Sequence, residues 1–231
     1  MPSAKFRNSD SALIIDESYA NLALRQSGSF TSGGANAYGY SIATVTLAHD
    51  QSVLAIRPNG RVGIHHVTYG TGKITYTFWC LGSNVAISYW NFDLPKYSTY
   101  NSGFAKLIIR NPATGEVCFD SRLRYMRVLN FQIVQASSSA PQMDQTYASG
   151  TVPAVIIANQ PWAMRSERTG NGSGSVTIVA WALGTVYASG TSISIRPLES
   201  FASFSDTNLG NAYPNSDMAS GFWITVDVSN F

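Results

Sequence analysis

The sequence predicts an all-β protein made of two antiparallel β-sandwich-like units. Asp, Glu, Lys and Arg make up only 12% of the 231 residues, and a helical protein needs more charge than that to solvate its outer faces. Apolar and polar residues alternate with a period of two along many short runs, as they do in half-buried strands. Turn-forming sequences rich in Gly, Asn and Ser separate these runs at short intervals, which is typical of sandwiches and barrels.

The alternating runs predict more than a dozen short strands. In the clearest of them, apolar Ile74, Tyr76 and Phe78 alternate with Thr75 and Thr77. Further runs lie at 45–47, 53–55, 193–195 and 222–228, and turn signals lie at 58–60, 70–72, 82–84, 114–115, 170–172 and 189–190. No window shows a sustained 3.6-residue stripe, so the sequence predicts no long helix.

A serine-rich stretch of low hydrophobicity, residues 135–146, has the composition of a linker. A new apolar strand follows it at 152–158. The sequence therefore predicts an N-terminal β unit over 1–134, which contains a repeated hairpin motif, and a C-terminal β unit over 147–231.

Charge and hydropathy exclude several classes of protein. A net charge of +2 gives no basic surface of the kind that binds nucleic acid. No run approaches the length of a membrane span, and the first residues lack the apolar core of a signal peptide, so we expect synthesis in the cytoplasm and no membrane span. In that compartment we expect Cys80 and Cys118, which lie in strand-like runs, to be reduced and buried.

The candidate residues for chemistry are few. Adjacent residues on a strand face opposite sides, so His65 and His66 cannot bind one metal ion from a regular strand, and we expect no metal or cofactor. Asp16 and Asp120 occupy equivalent ends of two similar hairpins, which favours a role in turn structure over a catalytic carboxylate pair. No nucleophile motif or phosphate loop is present, so we predict no catalytic residues and no enzymatic activity.

The densest unusual feature is the aromatic segment 89–101. Exposed aromatic rings flanked by Asp and Asn are typical of sugar-binding surfaces, because C–H faces stack on the rings while hydroxyls need polar partners. The same segment fits a loop whose aromatic residues pack against a neighbouring subunit or a sheet edge. For a contact with a subunit or a glycan, the candidate residues are Tyr89, Trp90, Phe92, Asp93, Tyr97 and Tyr100.

Two segments of the chain resemble each other. Residues 6–16 and 109–120 each contain a strand, a tight polar turn and a second apolar strand that ends in Asp. The pattern Asn-x-x-x-Gly-x-hydrophobic-x-hydrophobic-Asp-Ser, here residues 111–121, is followed by a strand rich in Arg, Tyr, Leu and Val. It resembles tail-tip and tail-fibre structural proteins of tailed bacteriophages. The resemblance covers about the first 130 residues, and residues 147–231 do not share it.

The resemblance implies a non-enzymatic structural component of a phage tail tip, baseplate or tail fibre that contributes to host attachment. It implies assembly in the host cytoplasm, location in the virion tail and other tail proteins as partners. It also implies a homo-oligomer, with a trimer favoured, and a host surface glycan or receptor as a further partner. The alternative, from a different class, is a carbohydrate-binding module or lectin-like β-sandwich with no role in a virion.

Overall fold

The predicted all-β, antiparallel, sandwich-like fold is confirmed. A computed structural model describes residues 5–7, 13–16, 21–100, 107–135, 142–169, 176–206, 216–218 and 220–231. Within these ranges the chain forms eighteen strands and one short 3-10 helix, Pro95–Tyr97. None of the described segments is a helix long and apolar enough to cross a membrane.

Most of the described strands belong to two sheets. The six-stranded sheet has the order β11 (Arg127–Gln135), β18 (Ser220–Asp227), β13 (Pro153–Asn159), β5 (Val53–Pro58), β8 (Ala86–Asp93) and β3 (Ala23–Thr31). The second sheet follows the path β12 (Met143–Thr146), β16 (Ser192–Asp206), β15 (Val176–Ser189), β6 (Val62–Gly70), β7 (Lys73–Leu81) and β4 (Tyr40–Ala48). It also contains β14 (Trp162–Thr169), which pairs with β15, and β17 (Ser216–Met218), which pairs with β14.

Each sheet consists of two blocks of strands that lie side by side. Strands β3 to β8 form one block in each sheet, which we call the N-terminal half, and strands β11 to β18 form the other, the C-terminal half. Two residue pairs, Val155–Ile56 and Ile156–Ala55, join the halves in the six-stranded sheet. One pair, Val186–Val62, joins them in the second sheet.

This arrangement corrects the predicted division of the chain at 135–146. Strand β11 precedes that stretch and β12 begins within it, yet both pair with strands of the C-terminal half, β18 and β16. The sheets therefore divide between β8 and β11. The polar stretch connects β11 and β12, which are edge strands of two different sheets.

One core runs between the sheets and crosses the boundary between the halves. It contains Leu54 and Phe78 from the N-terminal half and Val155, Val186 and Trp223 from the C-terminal half. The outer face of the six-stranded sheet is also covered, because Phe92 and Val226 there pack with Leu22, Met126 and the C-terminal Phe231. The halves are thus two half-sandwiches that fold around a shared interior.

Trp223 is the largest fully buried side chain among the described residues. Glycines make room for its indole ring: a Cβ placed on Gly221 would lie 2.2 Å from the ring, and one on Gly184 would lie 3.0 Å from it. The same two positions approach the Pro161 ring to 2.6 and 2.8 Å. In the C-terminal half, two strands therefore carry glycine at the positions where a side chain would come too close to the Trp223 ring.

Side chains join the halves where few strand residues pair. The Gln160 carboxamide accepts a hydrogen bond from the Ile64 N–H and donates one to the Ile64 carbonyl, as a neighbouring strand would. Arg57 donates to the carbonyl oxygens of Pro153 and Gly190, at 2.7 Å each. These bonds give backbone groups of β6 and of the C-terminal half hydrogen-bond partners on the other side of the boundary.

Two separate strand pairs lie in the two similar segments of the sequence, residues 6–16 and 109–120. The first pairs β1 (Lys5–Arg7) with β2 (Leu13–Asp16), and the second pairs β9 (Ile108–Arg110) with β10 (Val117–Asp120). Arg7 pairs with Leu13 as Arg110 pairs with Val117. Both registers then shift by one residue, so that the two strand pairs carry the same bulge.

Candidate functional site

The aromatic segment singled out in the sequence does not form one surface. Its first part is β8, which lies between β5 and β3, so successive side chains point to opposite faces of the sheet. Tyr89 packs into the core between the sheets. Trp90 packs against the core on the outer face, and Phe92 is fully buried there. The proposal that these three side chains form a common contact surface is therefore corrected.

Asp93 is fully buried at the end of β8 and is satisfied by protein donors. Its carboxylate accepts hydrogen bonds from the Arg25 guanidinium at 2.7 Å, from the backbone N–H groups of Asp50 and Gln51 at 3.2 and 3.1 Å, and from the Leu94 N–H at 2.8 Å. Because its oxygens have these partners, Asp93 fixes the turn before β5 and the direction of Arg25.

Tyr97 and Tyr100 are the two members of the predicted set that remain exposed, at 38% and 52%. The guanidinium of Arg25 lies 4.6 Å from the centroid of the Tyr97 ring, and that of Arg122 lies 4.4 Å from the Tyr100 ring. Lys96 also approaches Tyr97, at 5.2 Å. We call these five side chains the arginine–tyrosine surface.

A second buried carboxylate holds the second arginine. Asp120 is fully buried and receives Arg122 through two parallel bonds, Nε to Oδ1 at 2.9 Å and Nη2 to Oδ2 at 2.6 Å. The Asp120 N–H donates to the Tyr125 hydroxyl oxygen at 2.6 Å, and burial raises the pKa of Tyr125 to about 12. Each exposed tyrosine therefore stacks with a guanidinium that a buried carboxylate keeps in place. This rigid arrangement offers an aromatic face and N–H donors to a ligand that contains a polar ring.

A further candidate surface lies on β11 at the edge of the six-stranded sheet. We call the exposed apolar residues Val128, Leu129, Phe131 and Ile133 the β11 edge; Phe131 is 60% exposed and Ile133 is 78% exposed. Phe131 stacks on Phe222 of β18 with ring centroids 6.1 Å apart. Among the described strands, β11 pairs only with β18.

The sequence interpretation missed the β11 edge. Its signal is present, because residues 128–135 contain no charged side chain, whereas edge strands usually carry Lys or other charges that block pairing with other chains. The alternation alone could not show that this strand lies at an edge.

The histidines do not converge on a metal site. Among the described residues, no group of three or more His, Cys, Asp or Glu side chains could hold an ion. His65 stacks on Trp79 with ring centroids 4.2 Å apart, and burial together with the neighbouring His66 lowers the pKa of His65. His49 bonds the Ser52 hydroxyl at 2.9 Å. Cys80 and Cys118 are buried thiols, as expected, and burial raises the pKa of Cys80 to about 12.

Comparison with known proteins gives no match: no family model, no curated protein and no solved structure is similar to the chain.

Proposed function

We propose that this protein is a structural, non-enzymatic subunit of a bacteriophage tail tip, baseplate or tail fibre, and that the β11 edge is a surface through which copies assemble. The observation that supports assembly is the apolar, uncharged β11 edge, with Phe131 and Ile133 more than half exposed. Contiguous apolar side chains of this kind mark surfaces that partners cover.

The energetics favour association through this strand. Burying one large apolar side chain stabilises a complex by about 1.5–3 kcal/mol, and the backbone N–H and C=O groups of an edge strand can pair with a strand of another copy. The total charge of the chain is low, with a net value of +2, so repulsion between copies is weak. We propose a closed homo-oligomer, with a trimer favoured.

The assignment to a phage tail is supported by the hairpin pattern of residues 111–121. The bulged hairpin that carries this pattern occurs twice in the chain with the same register, as expected for a repeated structural element. In this proposal the protein assembles in the host cytoplasm, resides in the virion tail and contacts other tail proteins.

The double substitution Phe131→Ser/Ile133→Ser tests the assembly surface. We expect the wild-type chain to form an oligomer and the variant to dissociate at least tenfold more readily, because about 1.4 kcal/mol or more of apolar burial is lost. Native mass spectrometry and light scattering over a range of concentrations measure the change, and far-ultraviolet circular dichroism checks that the fold is retained.

The matched control is Tyr38→Ser/Ile42→Ser, which removes two other exposed apolar side chains and should leave the oligomer unchanged. A wild-type chain that stays monomeric at high concentration and enters no larger particle would overturn the proposal. Labelling of purified virions with an antibody to the protein, viewed by electron microscopy, tests the location in the tail.

A second candidate function, carbohydrate binding, is favoured by the arginine–tyrosine surface. Tyr97 and Tyr100 present exposed rings, and Arg25 and Arg122 supply N–H donors fixed by buried carboxylates. Sugars bind to such a combination because ring C–H groups stack while hydroxyls accept hydrogen bonds. In a tail protein this surface would contact a host glycan, and in a free lectin it would be the main site.

The substitution Tyr97→Ala/Tyr100→Ala tests this surface. We expect it to weaken binding to a glycan found on a host-surface glycan array by roughly tenfold or more, as loss of exposed aromatic anchors usually does. Tyr38→Ala removes an equally exposed tyrosine that lies outside the surface and should bind as the wild type does. The same affinity in all three proteins would exclude the arginine–tyrosine surface as the glycan site.

A further inference from the structure

A cavity of about 340 Å³ lies beside the boundary between the two halves. Its position follows from the strand pairing: β5 and β13 share only two residue pairs, and the N-terminal end of β5 then separates from the C-terminal end of β13. Residues from both sides line it, including Leu54 of β5, Val67 of β6, Phe78 of β7 and Ile157 of β13. Binding sites occur preferentially at boundaries of this kind.

Most of the side chains that line the cavity are apolar. Leu54, Ile56, Phe78 and Ile156 are buried core residues that line it. Burial raises the pKa of Tyr76, another lining residue, to about 12. An empty cavity lined by apolar groups lowers the stability of a protein in proportion to the volume of the cavity. The present cavity has roughly twice the volume of an engineered apolar cavity of about 150 Å³ that binds benzene. The volume also falls within the range of small-ligand pockets.

Two polar lining residues, Ser52 and Tyr69, lie close to one histidine, His49. Ser52 lines the cavity, and its hydroxyl is 2.9 Å from Nδ1 of His49. The His49 ring lies 5.6 Å from the ring of Tyr69, which also lines the cavity and is 70% exposed to solvent. A long apolar wall with a polar, solvent-exposed end fits a molecule that has an apolar body and one polar head.

We propose that this cavity binds a single unbranched alkyl chain with a small polar head group, such as a fatty acid. The chain lies between the sheets beside Val67 and Ile157, and the head group lies near Ser52, His49 and Tyr69. The cavity shares no lining residue with the β11 edge or the arginine–tyrosine surface, although Ile224, which lines it, is the strand partner of Phe131, and the proposal does not depend on the proposed function.

The test uses sodium dodecanoate below its micelle concentration, titrated into the full chain and followed by calorimetry. The background carries Phe131→Ser/Ile133→Ser, which removes the two most exposed apolar side chains of the β11 edge and so reduces adsorption of the probe there. We expect one dodecanoate per chain and a rise in thermal stability with its concentration. Absence of saturable binding in both this background and the wild type would overturn the proposal.

The substitution Val67→Phe places a ring in the cavity. We expect it to weaken dodecanoate binding by roughly tenfold or more and to leave the melting temperature unchanged or raised, because the void is filled. The matched control on the same strand is Val62→Phe. Val62 is fully buried and does not line the cavity, so the added ring should lower the melting temperature.

Two further outcomes would contradict the proposal. Unchanged dodecanoate binding by Val67→Phe would place the ligand elsewhere, and destabilisation as large as that of Val62→Phe would show that no void adjoins Val67. Ser52→Ala tests the polar end. It should weaken binding without lowering the melting temperature by more than a few degrees, and an unchanged affinity would overturn the placement of the head group.

Discussion

Replacing Trp223 by Ala should lower the free energy of unfolding by about 3–5 kcal/mol, the usual cost of truncating a large buried aromatic residue. The indole is fully buried in the core shared by the two halves. Gly184 and Gly221 approach it through their backbone, so no side chain at these two positions can fill the space. Urea denaturation followed by far-ultraviolet circular dichroism measures the loss. Tyr38→Ala, at an exposed position, is the control and should change stability by no more than about 0.5 kcal/mol.

A double-mutant cycle sharpens this prediction. Gly221→Ala alone should be destabilising, because its Cβ would lie 2.2 Å from the Trp223 ring. In the Trp223→Ala background that ring is absent, so the same substitution should cost less. If the effects of Gly221→Ala and Trp223→Ala simply add, the two residues are not coupled and the packing described here is wrong.

Replacing Asp93 by Ala should lower the free energy of unfolding by about 3–5 kcal/mol, because removing one partner of a buried ion pair leaves its hydrogen-bonding groups without compensation. Arg25 and the backbone N–H groups of Asp50 and Gln51 lose their acceptor in this variant. Asp93→Asn keeps the shape of the side chain and one acceptor oxygen, so it should lower the free energy of unfolding by less than Asp93→Ala does.

The control for Asp93 is Asp144→Ala. Asp144 is exposed, and its loss should change stability by no more than about 0.5 kcal/mol. Loss of Asp93 should also release Arg25 from the Tyr97 ring, which a change in the tyrosine environment by near-ultraviolet circular dichroism would report. A stability of Asp93→Ala equal to that of the control would refute the structural role of this carboxylate.

Period-two alternation predicted the strands but not which faces they bury. The run 74–80 became β7, where Ile74 and Phe78 face the core as their spacing suggests. In 222–228 the alternation separates Phe222 and Ile224 from Trp223 and Thr225, yet Trp223 and Thr225 are fully buried. The six-stranded sheet is covered on both faces. In a strand buried on both faces, the sequence pattern alone cannot show which of the two sets of alternating side chains is the more deeply buried.

The pairing between the halves could not be predicted from local sequence. Only three residue pairs connect the halves through their strands, and their register depends on the packing of the shared core. The candidate site was predicted in part: the composition of segment 89–101 indicated exposed aromatic residues, which Tyr97 and Tyr100 are. The rest of the predicted set lies on β8 or at its end, where the strand buries Phe92 and Asp93. Arg25 and Arg122 were missed because they are distant in sequence from the tyrosines they contact.

The bonds across the boundary of the halves have a consequence for sequence divergence. Arg57 donates to the main-chain oxygens of Pro153 and Gly190, and Arg61 donates to that of Ser194. Every residue type supplies a main-chain oxygen, so these three bonds do not themselves depend on the side chain at the acceptor position. Two of the acceptor positions carry a constraint of their own, because Arg61 also donates to the Ser194 hydroxyl at 2.9 Å and Gly190 has a positive φ. Replacement of Arg57 or Arg61, by contrast, removes the donor and the bond with it. The C-terminal half can therefore accumulate substitutions and acquire new surface specificities while it stays attached in the same place, provided that a few donors in the N-terminal half are kept.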